Sequence, residues 1–172
     1  MMSLDGFIAG PDDAMDWAFR HSGASAMANQ VKRSTGSILA GRRWHDVAMA
    51  RYDGRAGIYG GDWEGPVFVL THEPPDDPPD SEIIFVSDGI EDAVAKARDA
   101  AGSKNVEIFG ADTARQCLEA SLLDEIVVHI APVLLGDGVR FFGRPGADPV
   151  ELERVELDGP GQVTDIRFRV VR

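Results

Sequence analysis

The sequence predicts an α/β fold: a mixed central β-sheet with helices on both faces and an antiparallel hairpin at the C-terminal end. Three observations lead there. Short apolar runs of strand length recur at 37–40, 67–70, 83–86 and 106–109, each bounded by turn residues. Between the last two lies DGIEDAVAKARDAAG, in which Ile90, Val94 and Ala97 share one helical face. A strand, a helix and another strand at that spacing predict a right-handed crossover, and therefore parallel strands. The C-terminal third changes period: PVELERVELDGPGQVTDIRFRVV reads as two alternating strands joined at DGPG.

At 172 residues, with 44% hydrophobic and 27% charged residues, the chain is expected to form a single domain over 1–172. The formal net charge of −12 argues against nucleic acid and anionic lipid surfaces as partners. There is no run of about 18 apolar residues, so no membrane span is expected. The N-terminus shows no basic stretch leading into an apolar one, and a cytoplasmic location is expected. The lone Cys117 leaves no internal disulfide or cysteine-based metal cluster, and its spacing to Leu118 and Leu122 places it on the buried side of a helix.

The elements follow in order. SLDGFIAGPDDAMDW is turn-rich: Asp5–Gly6 is a tight turn, and Phe7, Ile8 and Trp17 are loop hydrophobics available to line a flat ring. Asp12, Asp13 and Asp16 read as solvated loop acids. A helix is expected near 24–33, then the strand 37–40, then a helix from about Arg43 to Ala50. Residues 53–66 carry five glycines and read as a long loop, as does the proline- and aspartate-rich stretch 72–80. Asp88 and Glu91 form a capping-box pattern ahead of the crossover helix, and Gly102 ends it. After strand 106–109, Gly110–Ala111 makes a turn, and Asp112 and Thr113 are expected to cap a helix reaching about Leu122. The run 125–135 is a longer strand interrupted at Pro132.

Two glycine turns carry the chemistry. Strand 37–40 ends at Gly41 and meets Arg42 and Arg43 at once; helix N–H groups with an arginine fork make an anion site, although pairing with surface acids would equally explain the arginines. Gly110 repeats the arrangement after strand 106–109, where open α/β sheets bind ligands. Two such turns suit a ligand with more than one phosphate, such as a dinucleotide. Thr71 and His72, at the end of strand 67–70, either hold an adenosine ribose and its 2′-phosphate or are ordinary loop polar residues. His45 and His129 read as structural, and the four histidines show no metal-ligand spacing, so no metal site is expected.

With these pieces in order, the chain resembles the dihydrofolate-reductase-like superfamily, specifically the reductase domain related to the C-terminal half of riboflavin-biosynthesis deaminase-reductases. SLDGFIAG, LAGRRWHD, VFVLTHE, VEIFGADTARQCLEASLLDEI and IAPVLLGDGVRFF carry the likeness, the last most specifically. The resemblance implies a dihydrofolate-reductase-like fold that binds NADPH. It assigns Gly41, Arg42, Arg43 and Trp44 to the cofactor phosphates, Leu70, Thr71 and His72 to the adenosine end, and Gly110, Ala111, Asp112 and Thr113 to the pyrophosphate and its ribose. Ile8 and Ala9 would lie beside the nicotinamide, with Asp5, Phe7 and Trp17 toward the substrate and Asp5 the candidate proton donor.

The departures narrow the function. Folate reductases carry an acidic residue shortly after the loop tryptophan, where this chain has AFRHSG, and a hydroxyl before the late-strand histidine, where it has Val128. The riboflavin reductases show Glu-Gly-Gly where Phe109–Gly110–Ala111 stand here, and a first-strand lysine ahead of SLDG. Only two residues precede SLDG, so the first strand is expected to begin outside the given chain or to be stunted. The expected activity is therefore NADPH-dependent hydride transfer to a small heterocyclic substrate. A nucleotide-binding module without turnover is the alternative, ahead of 5-amino-6-(5-phosphoribosylamino)uracil reduction or dihydrofolate reduction. Apolar positions in the late strands, including Val127, Phe141, Phe142, Val155, Leu157, Ile166, Phe168 and Val170, predict a homodimer, as the resemblance does.

Overall fold

The computed structural model describes residues 1–21, 23, 25–76, 82–143, 145–159 and 161–172. The first elements are β1 (Met2–Ser3), β2 (Phe7–Ala9), α1 (Asp16–Phe19), α2 (Ala26–Ser34), β3 (Thr35–Gly41) and α3 (Arg42–Arg51). Then come β4 (Val67–Leu70), β5 (Ile83–Val86), α4 (Ile90–Ala101), β6 (Asn105–Phe109) and α5 (Ala111–Glu119). The last are β7 (Glu125–Ala131), β8 (Val139–Arg140), β9 (Leu152–Asp158) and β10 (Thr164–Val170). This is the α/β class, with parallel and antiparallel strands, flanking helices and a late hairpin. The chain divides into two compact units, residues 30–122 and residues 1–29 with 123–172.

The unit 30–122 holds four parallel strands in the order β5-β4-β3-β6. Strand β3 lies inside that sheet, which is why its apolar run is continuous: Ile38, Leu39 and Ala40 are fully buried. Burial of a side chain the size of Ile38 or Leu39 contributes about 1.5–3 kcal/mol. Ile38, Ala40, Val67, Val69 and Ile83 share one face, and Ile58 and Trp63 cover it. The glycine-rich stretch 53–66 is therefore no open loop. Helical turns at Gly54–Gly61 fold it onto the sheet, and Trp63 Nε1 donates to the Thr35 carbonyl at 3.2 Å. On the opposite face the Ser37 hydroxyl donates to the Ala97 carbonyl at 2.7 Å and docks α4.

The predicted capping box of α4 does not form. Gly89 is the N-cap and makes no side-chain cap bond, while Asp88 faces Lys96 at 3.6 Å. The ammonium, already 2.7 Å from Asp92, draws both carboxylates along the helix. Gly102 does end α4, at φ +62°.

The other unit holds β1-β7-β10-β9, with β1 parallel to β7 and β10 antiparallel to both its neighbours. A bulge between Arg167 and Phe168 shifts the register of the hairpin. The ladder of β7 ends at Ala131, because Pro132 brings no N–H. Strands β2 and β8 make a separate two-stranded ribbon. The hairpin turn at Pro160, the segment 77–81 and Ala24, where α2 is expected to begin, lie outside the described residues. Among the described residues no helix is long and apolar enough to cross a membrane.

Candidate functional site

Strand order decides where the unit 30–122 can take a ligand. The chain leaves β3 through α3 toward β4, while β5 returns through α4 to β6 on the other side of β3. Helix α3 packs over the Ile38–Val69 face through Trp44, and α5 packs beside α4. The helices that follow the neighbouring strands β3 and β6 thus diverge, which opens a crevice at the carboxyl ends of those strands.

Both helices begin there on a glycine. Gly41 is the N-cap of α3 and Gly110 that of α5, and among the described residues neither helix start has a side-chain cap bond. A Cβ built on Gly110 would stand 4.0 Å from the Gly41 nitrogen and 3.9 Å from the Thr113 hydroxyl. One on Gly41 would come to 2.8 Å of that hydroxyl. The two helix starts are in van der Waals reach of each other only because both surfaces are bare. Gly110 also has φ +96°, a conformation that side chains resist. Each start carries the equivalent of about half a positive charge, which suits an anion.

Asp112 and Thr113 do not cap α5 as expected. The helix starts at Ala111, and the Asp112 carboxylate turns along it to Arg115 at 2.6 Å and Gln116 at 2.7 Å. The Arg115 hydrogen bond holds its carboxyl below the usual range, against a smaller effect of burial. Thr113 is buried instead, with its hydroxyl facing Gly41 and Gly110.

The basic side of the crevice lies over the ends of β3 and β4. Arg42 donates from Nε to both Asp46 oxygens, at 2.8 and 3.0 Å, and from Nη1 to the Glu73 carbonyl at 2.9 Å. Thr71, expected as a direct ligand group, is buried, and its hydroxyl accepts from Glu73 N–H at 3.2 Å. It shapes the turn that brings the Glu73 carbonyl to Arg42. Leu70 is half-buried at the end of β4, and Arg43 and His72 are exposed. Trp44 meets Phe109 edge-on, with ring centroids 5.1 Å apart, and both are partly buried against the core.

In the other unit the structure places Asp5 in a hydrogen-bonded turn and corrects the exposure expected of Phe7. The Asp5 carboxylate accepts from the Ser3 hydroxyl at 2.6 Å, Leu135 N–H at 3.2 Å and Gly136 N–H at 2.7 Å. The Ser3 bond foremost, with the two backbone donors, lowers its pKa to about 2. These bonds stabilise its carboxylate form. Phe7 is core rather than loop surface: it is buried, and the Arg140 guanidinium lies 4.4 Å from its ring centroid. Ile8 is half-buried and Ala9 buried in β2, and Trp17 is half-buried in α1 with its indole nitrogen buried and, among the described residues, without a partner.

Three features escaped the sequence reading. Asp46 is the i+4 partner of Arg42, a spacing visible in the sequence. Glu107 accepts from the Tyr59 hydroxyl at 2.7 and 2.8 Å, and its signal was an acid within an apolar strand. The third joins Asp165, which is buried, to His129 at 2.7 Å and to the Ser25 hydroxyl, and nothing local marks it because Ser25 and Asp165 are far apart in sequence.

A family model described as the RibD C-terminal domain matches residues 1–164. The chain belongs to that family. It is 22% identical over 147 residues to the uncharacterised protein YwjB of Bacillus subtilis, spanning 82% of this chain and 78% of that one. A crystal structure from Shewanella sp. PV-4, named for riboflavin biosynthesis, superposes with a TM-score of 0.82 at 23% identity, over 99% of this chain and 96% of the other. A Thermotoga maritima diaminohydroxyphosphoribosylaminopyrimidine deaminase/5-amino-6-(5-phosphoribosylamino)uracil reductase superposes with a TM-score of 0.67 at 14% identity; the chain matches over 99% of its length but covers only 54% of that protein. The fold is thus the dihydrofolate-reductase-like one of riboflavin-type reductases.

Proposed function

We propose that this member of the RibD C-terminal domain family is a cytoplasmic NADPH-dependent reductase of a small heterocyclic substrate. The observation that carries the reading is the pair of glycine-capped helix starts, α3 and α5, brought together at the carboxyl ends of β3 and β6. Two uncapped sets of N–H donors suit a pyrophosphate, and the bare surfaces of Gly41 and Gly110 let its oxygens approach the backbone. Arg42, with Arg43 beside it in sequence and His72 next to the Glu73 whose carbonyl Arg42 reaches, supplies the charge that a 2′-phosphate needs. Bound NADPH supplies hydride; the chain's own part is to hold the phosphates and orient the adenosine end.

Calorimetric titration with NADPH and NADH tests the reading. Charge-assisted bonds contribute about 1.5–3 kcal/mol, so NADPH should bind at least about tenfold more tightly. Equal affinities would remove the 2′-phosphate assignment, and no binding of either would remove the cofactor. One observation favours a second reading, nucleotide binding without turnover: the carboxylate of Asp5, the candidate proton donor, already accepts from Ser3, Leu135 and Gly136. NADPH that binds but is consumed with no heterocyclic carbonyl substrate would decide for it.

A further inference from the structure

An arginine side chain that is 43% exposed ordinarily samples many rotamers, yet Arg42 is tied at two points. Its Nε faces both oxygens of Asp46, and its Nη1 reaches the Glu73 carbonyl. A guanidinium carries five N–H groups, so these contacts engage two and, among the described residues, leave the remaining N–H groups of Nη1 and Nη2 for further partners. Asp46 is itself held from the core side: the Nδ1 of His45, a buried residue, is 3.1 Å from its Oδ1. Burial works against the charged form of Asp46, but the bonds from Arg42 and then His45 outweigh it and keep the carboxyl below its usual range. The result is one braced chain, from the imidazole through the carboxylate to the guanidinium and the backbone after β4.

We propose that Asp46 is the positioning residue that makes Arg42 a selective ligand for the 2′-phosphate, an inference that rests on the cofactor reading above. Two effects of the carboxylate oppose each other. It subtracts charge from the site, but across solvent that repulsion is screened. It also orders a long side chain before the ligand arrives, which corresponds to about two- to tenfold in affinity. The ordering prevails, because the N–H groups that Asp46 and the Glu73 carbonyl do not engage are the ones that would meet the phosphate.

The test compares adenosine 2′,5′-bisphosphate with 5′-AMP by calorimetry, since the ratio of their affinities isolates the 2′-phosphate. The unchanged protein should favour the bisphosphate by tenfold or more. In Asp46→Ala that ratio should fall about three- to tenfold with 5′-AMP binding unchanged, and Asp46→Glu, which can still reach Arg42, should restore most of it. In an Arg42→Gln background, Asp46→Ala should have no further effect on the ratio. A ratio near one in the unchanged protein would remove the 2′-phosphate reading and this inference with it. A normal ratio that Asp46→Ala leaves unchanged or raises, or that it lowers equally in the Arg42→Gln background, would overturn the role of Asp46 alone.

Discussion

The Asp5 carboxylate and the Gly136 N–H, 131 residues apart, are joined by a 2.7 Å hydrogen bond. The same carboxylate takes the Leu135 N–H, while the Arg140 side chain and the Phe141 N–H reach back to the carbonyls of Asp5 and Gly6. SLDGF and LLGDGVRFF, read in the sequence as separate motifs, are the two halves of one lock. Depressing a carboxyl pKa in the folded state adds stability that is complete above the unfolded value near 4 and is lost as pH falls through about 2. Asp5→Ala should therefore lower the urea midpoint at neutral pH and flatten its dependence between about pH 4 and pH 2. A variant that tracks the parent across that window would show that the carboxylate does not hold the lock.

Glu107 should behave in the opposite sense. Burial raises its pKa against the Tyr59 and Thr35 bonds. The Thr35 hydroxyl has one proton and lies nearer the Val31 carbonyl, at 2.9 Å, than Glu107 Oε2, at 3.1 Å. A proton on Oε2 would complete the arrangement. Folding therefore favours proton uptake, and stability falls as pH rises from the ordinary glutamate range through the raised pKa. Glu107→Gln, which donates to Thr35 with no charge, should remove that fall and gain about 1 kcal/mol at pH 8. Urea unfolding across pH 4–9 reads it, and a variant with the parent's slope would assign the slope to other groups.

Gly110→Val should weaken NADPH binding at least tenfold. At φ +96° a β-branched residue is strained by about 1–3 kcal/mol, and its methyls would enter the space between the two helix starts. Gly41→Ala should act in the same direction through its 2.8 Å approach to Thr113. Circular dichroism establishes folding and titration reads affinity; a folded Gly110→Val protein with normal binding would place the phosphates elsewhere.

A homodimer through the late strands is expected. On the β9–β10 hairpin, Leu152, Val155 and Leu157 are 41%, 44% and 55% exposed, a concentration of apolar surface that a second copy would cover. With a net charge of −12 opposing association, the dimer should tighten with salt, and Leu157→Glu should dissociate it. Light scattering at micromolar concentration measures this. A mass near 18.6 kDa at every salt concentration would exclude the dimer.

What the sequence determined by itself was local. Strand runs such as Val67–Leu70 and Ile83–Val86, the helix ending at Gly102 and the glycines after strands 37–40 and 106–109 were legible because periodicity and turn chemistry act over a few neighbouring residues. What only the tertiary structure decided was which polar group meets which. Asp88 and Asp112 carried the sequence signature of caps, but cationic side chains along their helices claimed them. Phe7 resembled a loop hydrophobic until Arg140 closed over it, and nothing beside Asp5 announced the backbone donors of residues 135 and 136 that its carboxylate accepts from. Neither partner could be read from the turn that holds Asp5 and Phe7, because a hydrogen bond or ion pair is set by distance in space, and chain closure brings together residues whose spacing in sequence carries no trace of it.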